Sequence, residues 1–206
     1  MSTATLESNT STTTELSITL PVPMAKAIAS FGIFTGPKDV MPSLQQVKVV
    51  FGTDSITVVA TDRYVAAKAT YAYDGDGTTG TIYLDPAAVK FIAGLKIKIG
   101  IIAFDLMDGK LKITDFTNTY VGSMFTGKYP EVEPLIDNWQ AGSITQAILK
   151  IDLLAKLGKV VNPSGEKADV WQFTAGDDSA NPNRPVPVMA TQANAKVIIQ
   201  PNLAKR

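Results

Sequence analysis

Apolar and polar residues alternate along this chain with two different periods, and the order of those periods repeats. Residues 16–21, LSITLP, alternate one by one as a strand does. The stretch 22–34, VPMAKAIASFGIF, spaces Ala, Ile and Phe at helical intervals and has a proline at its start, where a helix tolerates one. Three β-branched or alternating runs follow, QVKVVFG, SITVVAT and YVAAKATYAY, divided by Gly-Thr-Asp and Thr-Asp-Arg breaks.

After the loop DGDGTTG the order returns. TIYL reads as a strand and DPAAVKFIAGLK as a helix with Asp85 as N-cap and Pro86 in its first turn. IGIIAFDL, KLKITDF and TYVGSMF follow as strands, with Asp108-Gly109 a hairpin turn between the first two. A third round opens after EPLIDNWQAGS: TQAILK as a strand, IDLLAKLGKVV as a helix with a Leu153, Leu154, Leu157 stripe, then DVWQFTAG, RPVPVMAT and AKVIIQPN as strands. The prolines of RPVPVM predict an edge strand. Three β-α-β-β-β units, rather than alternating β-α units, predict an α+β fold of mainly antiparallel sheet. The Ser- and Thr-rich segment 1–14 reads as a disordered tail without a signal peptide's basic or apolar regions.

Composition narrows the chemistry. The chain has 206 residues, 45% of them hydrophobic, enough for a sizeable core. Lys plus Arg and Asp plus Glu number 19 each, so any nucleic-acid contact is local rather than a broad basic wrap. There is no cysteine and no histidine. Thiolate chemistry, the commonest general base and the commonest metal ligand are therefore missing. No cofactor or metal is expected, and no enzymatic activity. The longest apolar run, IGIIAF, is too short to span a membrane, and the expectation is a soluble cytoplasmic protein.

Individual motifs have plain readings. GDGTTG (75–80) matches a dinucleotide fingerprint but leads into a strand instead of a helix, so it reads as a hairpin loop. As a calcium loop it has Thr79 where glycine is required. Asp177-Asp178 reads as a solvated loop, and Glu131 with Glu133, flanked by prolines, as an extended surface segment. The polar break Thr61-Asp62-Arg63 is open to three readings: a turn, a catalytic pair, or part of a surface read by another protein.

VVATDRYVAAK, followed later by GKYPEVEPLI, resembles the middle domain of bacterial DNA polymerase sliding clamps. LPVPMAKAIAS and LDPAAVKFIAGL resemble that domain's two helices, and AKVIIQPNL the family's C-terminal strand and tail. The ordered set covers about 16–203. The resemblance implies a clamp domain of two units over 15–136 and a partial domain of one unit over 137–206. It implies a ring with helices lining the hole and sheets outside, loaded on double-stranded DNA without sequence preference. The implied partners are a DNA polymerase, a clamp loader and further copies of the chain, and the shortness suits a phage version.

By the same resemblance, peptides from polymerase and loader insert apolar side chains into a pocket. Thr61, Arg63, Tyr64 and Val65 would form one wall with Leu44, and Ile198, Ile199 and Pro201 the other. Leu44, Val65, Ile198 and Ile199 read equally well as core. Lys26, Lys90, Lys96, Lys156 and Lys159, on or beside the predicted helices, would face DNA. As residues of exposed helix faces they also read as ordinary solvated lysines. The functional reading is a non-enzymatic processivity factor; the alternative is a clamp-fold binding module that docks on replication proteins without encircling DNA.

Overall fold

The strand that opens each of the first two units does not stay with its own unit. β1 (Leu16–Pro21) crosses to the second unit and pairs antiparallel with β6 (Ile101–Met107), from Leu16 opposite Leu106 to Pro21 opposite Ile101. β5 (Gly80–Leu84) makes the reciprocal move onto β2 (Val47–Phe51) of the first unit. In β1 every second residue is buried: Leu16, Ile18 and Leu20. A slip of one residue would turn all three to solvent, at about 1.5–3 kcal/mol each, so burial fixes the register. The computed structural model describes residues 16–142, 149, 151–168, 170–176 and 186–200.

Two sheets result. The four-stranded sheet runs β1-β6-β7-β8, with β7 at Lys110–Thr114 and β8 at Thr119–Ser123. The β6–β7 turn uses Asp108 and Gly109, both at positive φ (51° and 69°), as a two-residue primed turn requires. The larger sheet begins β5-β2-β3-β4, with β3 at Ser55–Thr61 and β4 at Val65–Ala72. It continues into the third unit as β11 (Ala195–Ile199), β10 (Val188–Gln192) and β9 (Gln172–Ala175), so β4 and β11 join the units within one seven-stranded sheet.

Helices α1 (Val22–Ser30) and α2 (Pro86–Gly94) pack on each other. Asp85 caps α2 as predicted, its Oδ1 accepting the Ala88 N–H at 2.7 Å. α1 has no side-chain cap, but its Val22 N–H donates to the Gly100 carbonyl at 2.9 Å. In the 3-10 turn after α1, a Cβ on Gly32 would sit 2.5 Å from Val89 Cγ1 of α2, so only glycine permits that approach. One apolar cluster joins a face of each sheet to α1, α2 and the short α4 (Ile151–Leu157). Among the described residues no helix is long and apolar enough to cross a membrane.

Three expectations change. β10 is interior, between β11 and β9: it starts at Val188, so the prolines of RPVPVM precede the ladder and remove none of its donors. The GDGTTG loop does not close a hairpin, because β4 and β5 are not neighbours and the loop carries the chain across to β2. GKYPEVEPLID is not simply extended surface. Tyr129, Val132 and Ile136 are buried, and Glu133 opens the short helix α3 (Glu133–Asp137).

That segment lies against the second face of the large sheet, where Tyr129, Val132 and Ile136 cluster with Val59, Ala66, Met189 and Ile198. Polar contacts hold it there. Tyr129 Oη donates to the carbonyls of Gln46 (3.3 Å) and Val59 (3.2 Å), Lys48 Nζ meets Glu133 Oε1 at 2.6 Å, and Lys68 meets Asp137 at 2.7 Å. The tail 1–14, most of TQAILK and Asp177-Asp178 lie outside the described residues.

Candidate functional site

The Thr61-Asp62-Arg63 break is a turn built from its own side chains. Asp62 Oδ1 accepts the N–H groups of Tyr64 (2.9 Å) and Val65 (2.8 Å), and Thr61 Oγ1 donates to the Val65 carbonyl at 2.8 Å. Arg63 takes φ of 81°, left-handed backbone that tightens the β3–β4 connection and is uncommon outside glycine. Asp62 Oδ2 accepts from Lys156 Nζ at 3.0 Å. With both oxygens occupied in this way, Asp62 acts as a structural tie for the turn, and Arg63 next to it is exposed.

The turn has a neighbour from the far end of the chain. Gln200 N–H donates to the Tyr64 carbonyl at 2.8 Å, and β11 lies beside β4 with Ile198 opposite Ala66 and Ile199 opposite Val65. A third element completes the enclosure: the segment after β8 brings in Pro130, Val132 and Leu135. Together they bound a cavity of about 250 Å³ lined by Met41, Ser43, Leu44, Thr61, Arg63, Tyr64, Val65, Ala66, Pro130, Val132, Leu135, Ile198 and Gln200. Its floor is buried (Leu44, Val65, Ala66, Ile198), while three large side chains at its rim, Met41, Tyr64 and Leu135, are 57%, 55% and 61% exposed. An apolar hollow ringed by exposed apolar side chains is suited to receive apolar side chains from another molecule.

Of the residues expected at a pocket, Leu44, Thr61, Arg63, Tyr64, Val65 and Ile198 line this one. Ile199 does not: strand alternation turns it to the main core, where it is buried. Pro201 lies outside the described residues. Met41, Ser43, Ala66, Pro130, Val132, Leu135 and Gln200 are lining residues that the sequence reading missed. Cross-strand pairing with Ile198 would have found Ala66, and the buried spacing of Tyr129, Val132 and Ile136 would have found the third wall.

The five lysines divide into two groups. Lys26 Nζ donates to the carbonyls of Leu95 (2.7 Å) and Ile97 (2.9 Å), tying α1 to the end of α2, and Lys156 is held by Asp62. Lys90, Lys96 and Lys159 are exposed, the last two just past the ends of α2 and α4. Among the described residues no group of acidic side chains could hold a metal ion. Burial, with Glu133 nearby, raises the pKa of the Tyr129 phenol, which keeps that hydrogen-bonded group neutral beneath the pocket's third wall.

No family model and no curated protein sequence matches the chain. Solved structures do. A DNA polymerase sliding clamp from Pseudomonas aeruginosa is similar with a TM-score of 0.66 at 11% identity, over 92% of this chain and 67% of that one. A DNA polymerase III beta subunit from Thermotoga maritima gives 0.58 at 14% identity, over 93% and 65%. A DNA polymerase III subunit beta sliding clamp from Bartonella birtlesii gives 0.64 at 9%, over 93% and 66%. The chain thus has the fold of the bacterial sliding clamps, α+β with antiparallel sheets and few helices, and spans about two thirds of the length of these structures.

Proposed function

We propose that this protein is a sliding-clamp-like processivity factor: a non-enzymatic cytoplasmic sleeve that surrounds duplex DNA and holds a polymerase through a docked peptide. Residues 15–136 form its complete clamp domain and 137–206 a partial one. One observation carries this reading. The apolar pocket lies where β4 of the first unit meets β11 of the third, framed by exposed Met41, Tyr64 and Leu135. A short polymerase or clamp-loader segment with two or three apolar side chains fits such a hollow. Lys90, Lys96 and Lys159 supply sequence-independent attraction to phosphate, which leaves a sleeve free to slide.

The second reading, a clamp-fold module that binds replication proteins without encircling DNA, is favoured by the internal use of Lys26 and Lys156. Retention on closed circular DNA separates the two. An encircling sleeve stays on the circle and is lost when the circle is cut, and the triple variant Lys90→Glu, Lys96→Glu, Lys159→Glu is retained less. A non-encircling module binds polymerase-derived peptide but leaves circular and linear DNA alike. Loss of peptide binding as well would remove both readings.

A further inference from the structure

The hollow between β4, β11 and the segment after β8 is apolar, yet one formal charge stands at its edge. Arg63 is the single charged side chain among the described residues that line it. It is exposed and belongs to no ion pair among the described residues. The charges around it are matched. Asp62 is taken by Lys156 at 3.0 Å, Glu133 by Lys48 at 2.6 Å, and Glu131 faces Lys128 at 3.8 Å. Lys38 and Asp39, just before Met41, are adjacent and opposite in sign. The positive charge of Arg63 is left over.

The backbone beneath that charge is a second observation. At φ of 81° residue 63 lies in the left-handed region, where glycine is at ease and a side chain is strained. Hydrogen bonds on both sides hold it there: the Arg63 N–H donates to Thr61 Oγ1 at 3.3 Å, and Asp62 Oδ1 accepts from Tyr64 and Val65. A turn of this shape asks for glycine, and the chain has an arginine. Strain carried at the rim of a pocket points to use of the side chain. A guanidinium is planar and always charged, and it can give two parallel N–H groups to one carboxylate.

We infer, on the reading of this pocket as a peptide site, that the docked segment is acidic. An aspartate or glutamate beside its apolar side chains pairs with Arg63, while those side chains fill the hollow over Leu44, Val65 and Ile198. The apolar floor supplies affinity without distinguishing one apolar segment from another. Arg63 makes the distinction, because a basic residue at the same place would meet a like charge. The chain as a whole has no net charge and hence no general attraction for acidic peptides, so the preference is local to this residue.

Calorimetric titration of the full 206-residue chain tests this with short peptides capped at both ends. Each carries a leucine, a phenylalanine and one variable position, which is moved along the peptide. At the matching position Asp should bind about threefold to tenfold tighter than Asn at low salt, and Lys weaker than Asn, with the differences shrinking at high salt. Arg63→Glu should reverse the order, Lys above Asp. Arg63→Gly should bring the Asp-to-Asn ratio to about one, with a urea midpoint no lower than that of the wild type. Equal affinity for Asp and Asn at every position overturns the inference and leaves the pocket reading standing, as does an Asp preference that survives Arg63→Glu. Failure of every peptide to bind, the Asn forms included, removes the pocket reading and the inference with it.

Discussion

Lys156 of the third unit and Asp62 of the first are linked at 3.0 Å, and the same carboxylate holds the amides of Tyr64 and Val65. The tip of the β3–β4 hairpin is thereby anchored to a helix remote in sequence. Asp62→Ala removes the acceptor of two amides and the ion pair together and should lower stability by about 1–3 kcal/mol in urea unfolding, whereas Lys156→Ala should cost under about 1 kcal/mol. Equal costs would place the stabilisation in the ion pair alone.

The pocket gives a separable effect. Tyr64 is 55% exposed at its rim, so Tyr64→Ala should leave the melting temperature close to wild type. The same change should weaken an apolar clamp-binding peptide by about 1–3 kcal/mol in calorimetric titration. Ile198→Ala behaves differently: that side chain is buried in the second apolar cluster, and truncation should cost about 2–5 kcal/mol of folding stability.

The helix start at Asp85 offers a third measurement. Its side chain accepts the Ala88 amide at 2.7 Å, and Asp85→Ala should lower the unfolding free energy by about 1 kcal/mol. Asp85→Asn, which keeps an acceptor, should recover most of that loss.

Alkaline pH should weaken the fold. Burial raises the phenol pKa of Tyr71, Tyr120 and Tyr129, with Asp85 adding to the effect at Tyr120 and Glu133 at Tyr129. The folded state therefore holds these protons more tightly than the unfolded chain does. Their contribution is fully present below the ordinary tyrosine range near pH 10 and is lost as pH rises above it. With no histidine in the chain, urea midpoints should be nearly level from about pH 6 to 9 and fall beyond about pH 10, in step with tyrosinate absorbance.

Much of the fold was legible because its signals are local. Pro23, Asp85 and Pro86 mark helix starts, Asp108-Gly109 marks a hairpin, and Leu16, Ile18 and Leu20 alternate without interruption. What escaped was non-local. Nothing in LSITLP says that it pairs with residues near 105 rather than with its own unit, and β1 and β5 exchange for reasons of tertiary burial. The same limit hid the pocket's third wall. Prolines around Glu131 and Glu133 signal extended chain, but only the sheet beneath explains why Tyr129, Val132 and Ile136 turn inward. The family resemblance places Ile199 in the pocket beside Ile198, although neighbours in a strand face opposite ways.

The pairing of β4 with β11 also sets an order of events during synthesis. Val65 and Ala66 emerge from the ribosome early, yet their partners Ile199 and Ile198 are among the last residues of the sheet to be made. Until then the floor of the pocket is half a floor and the edge of β4 lacks its β11 partner. Under the proposed function, peptide recognition is therefore a late property of translation. A ribosome stalled before residue 195 presents a chain in which β4 has no β11 beside it and the pocket has no Ile198 in its floor.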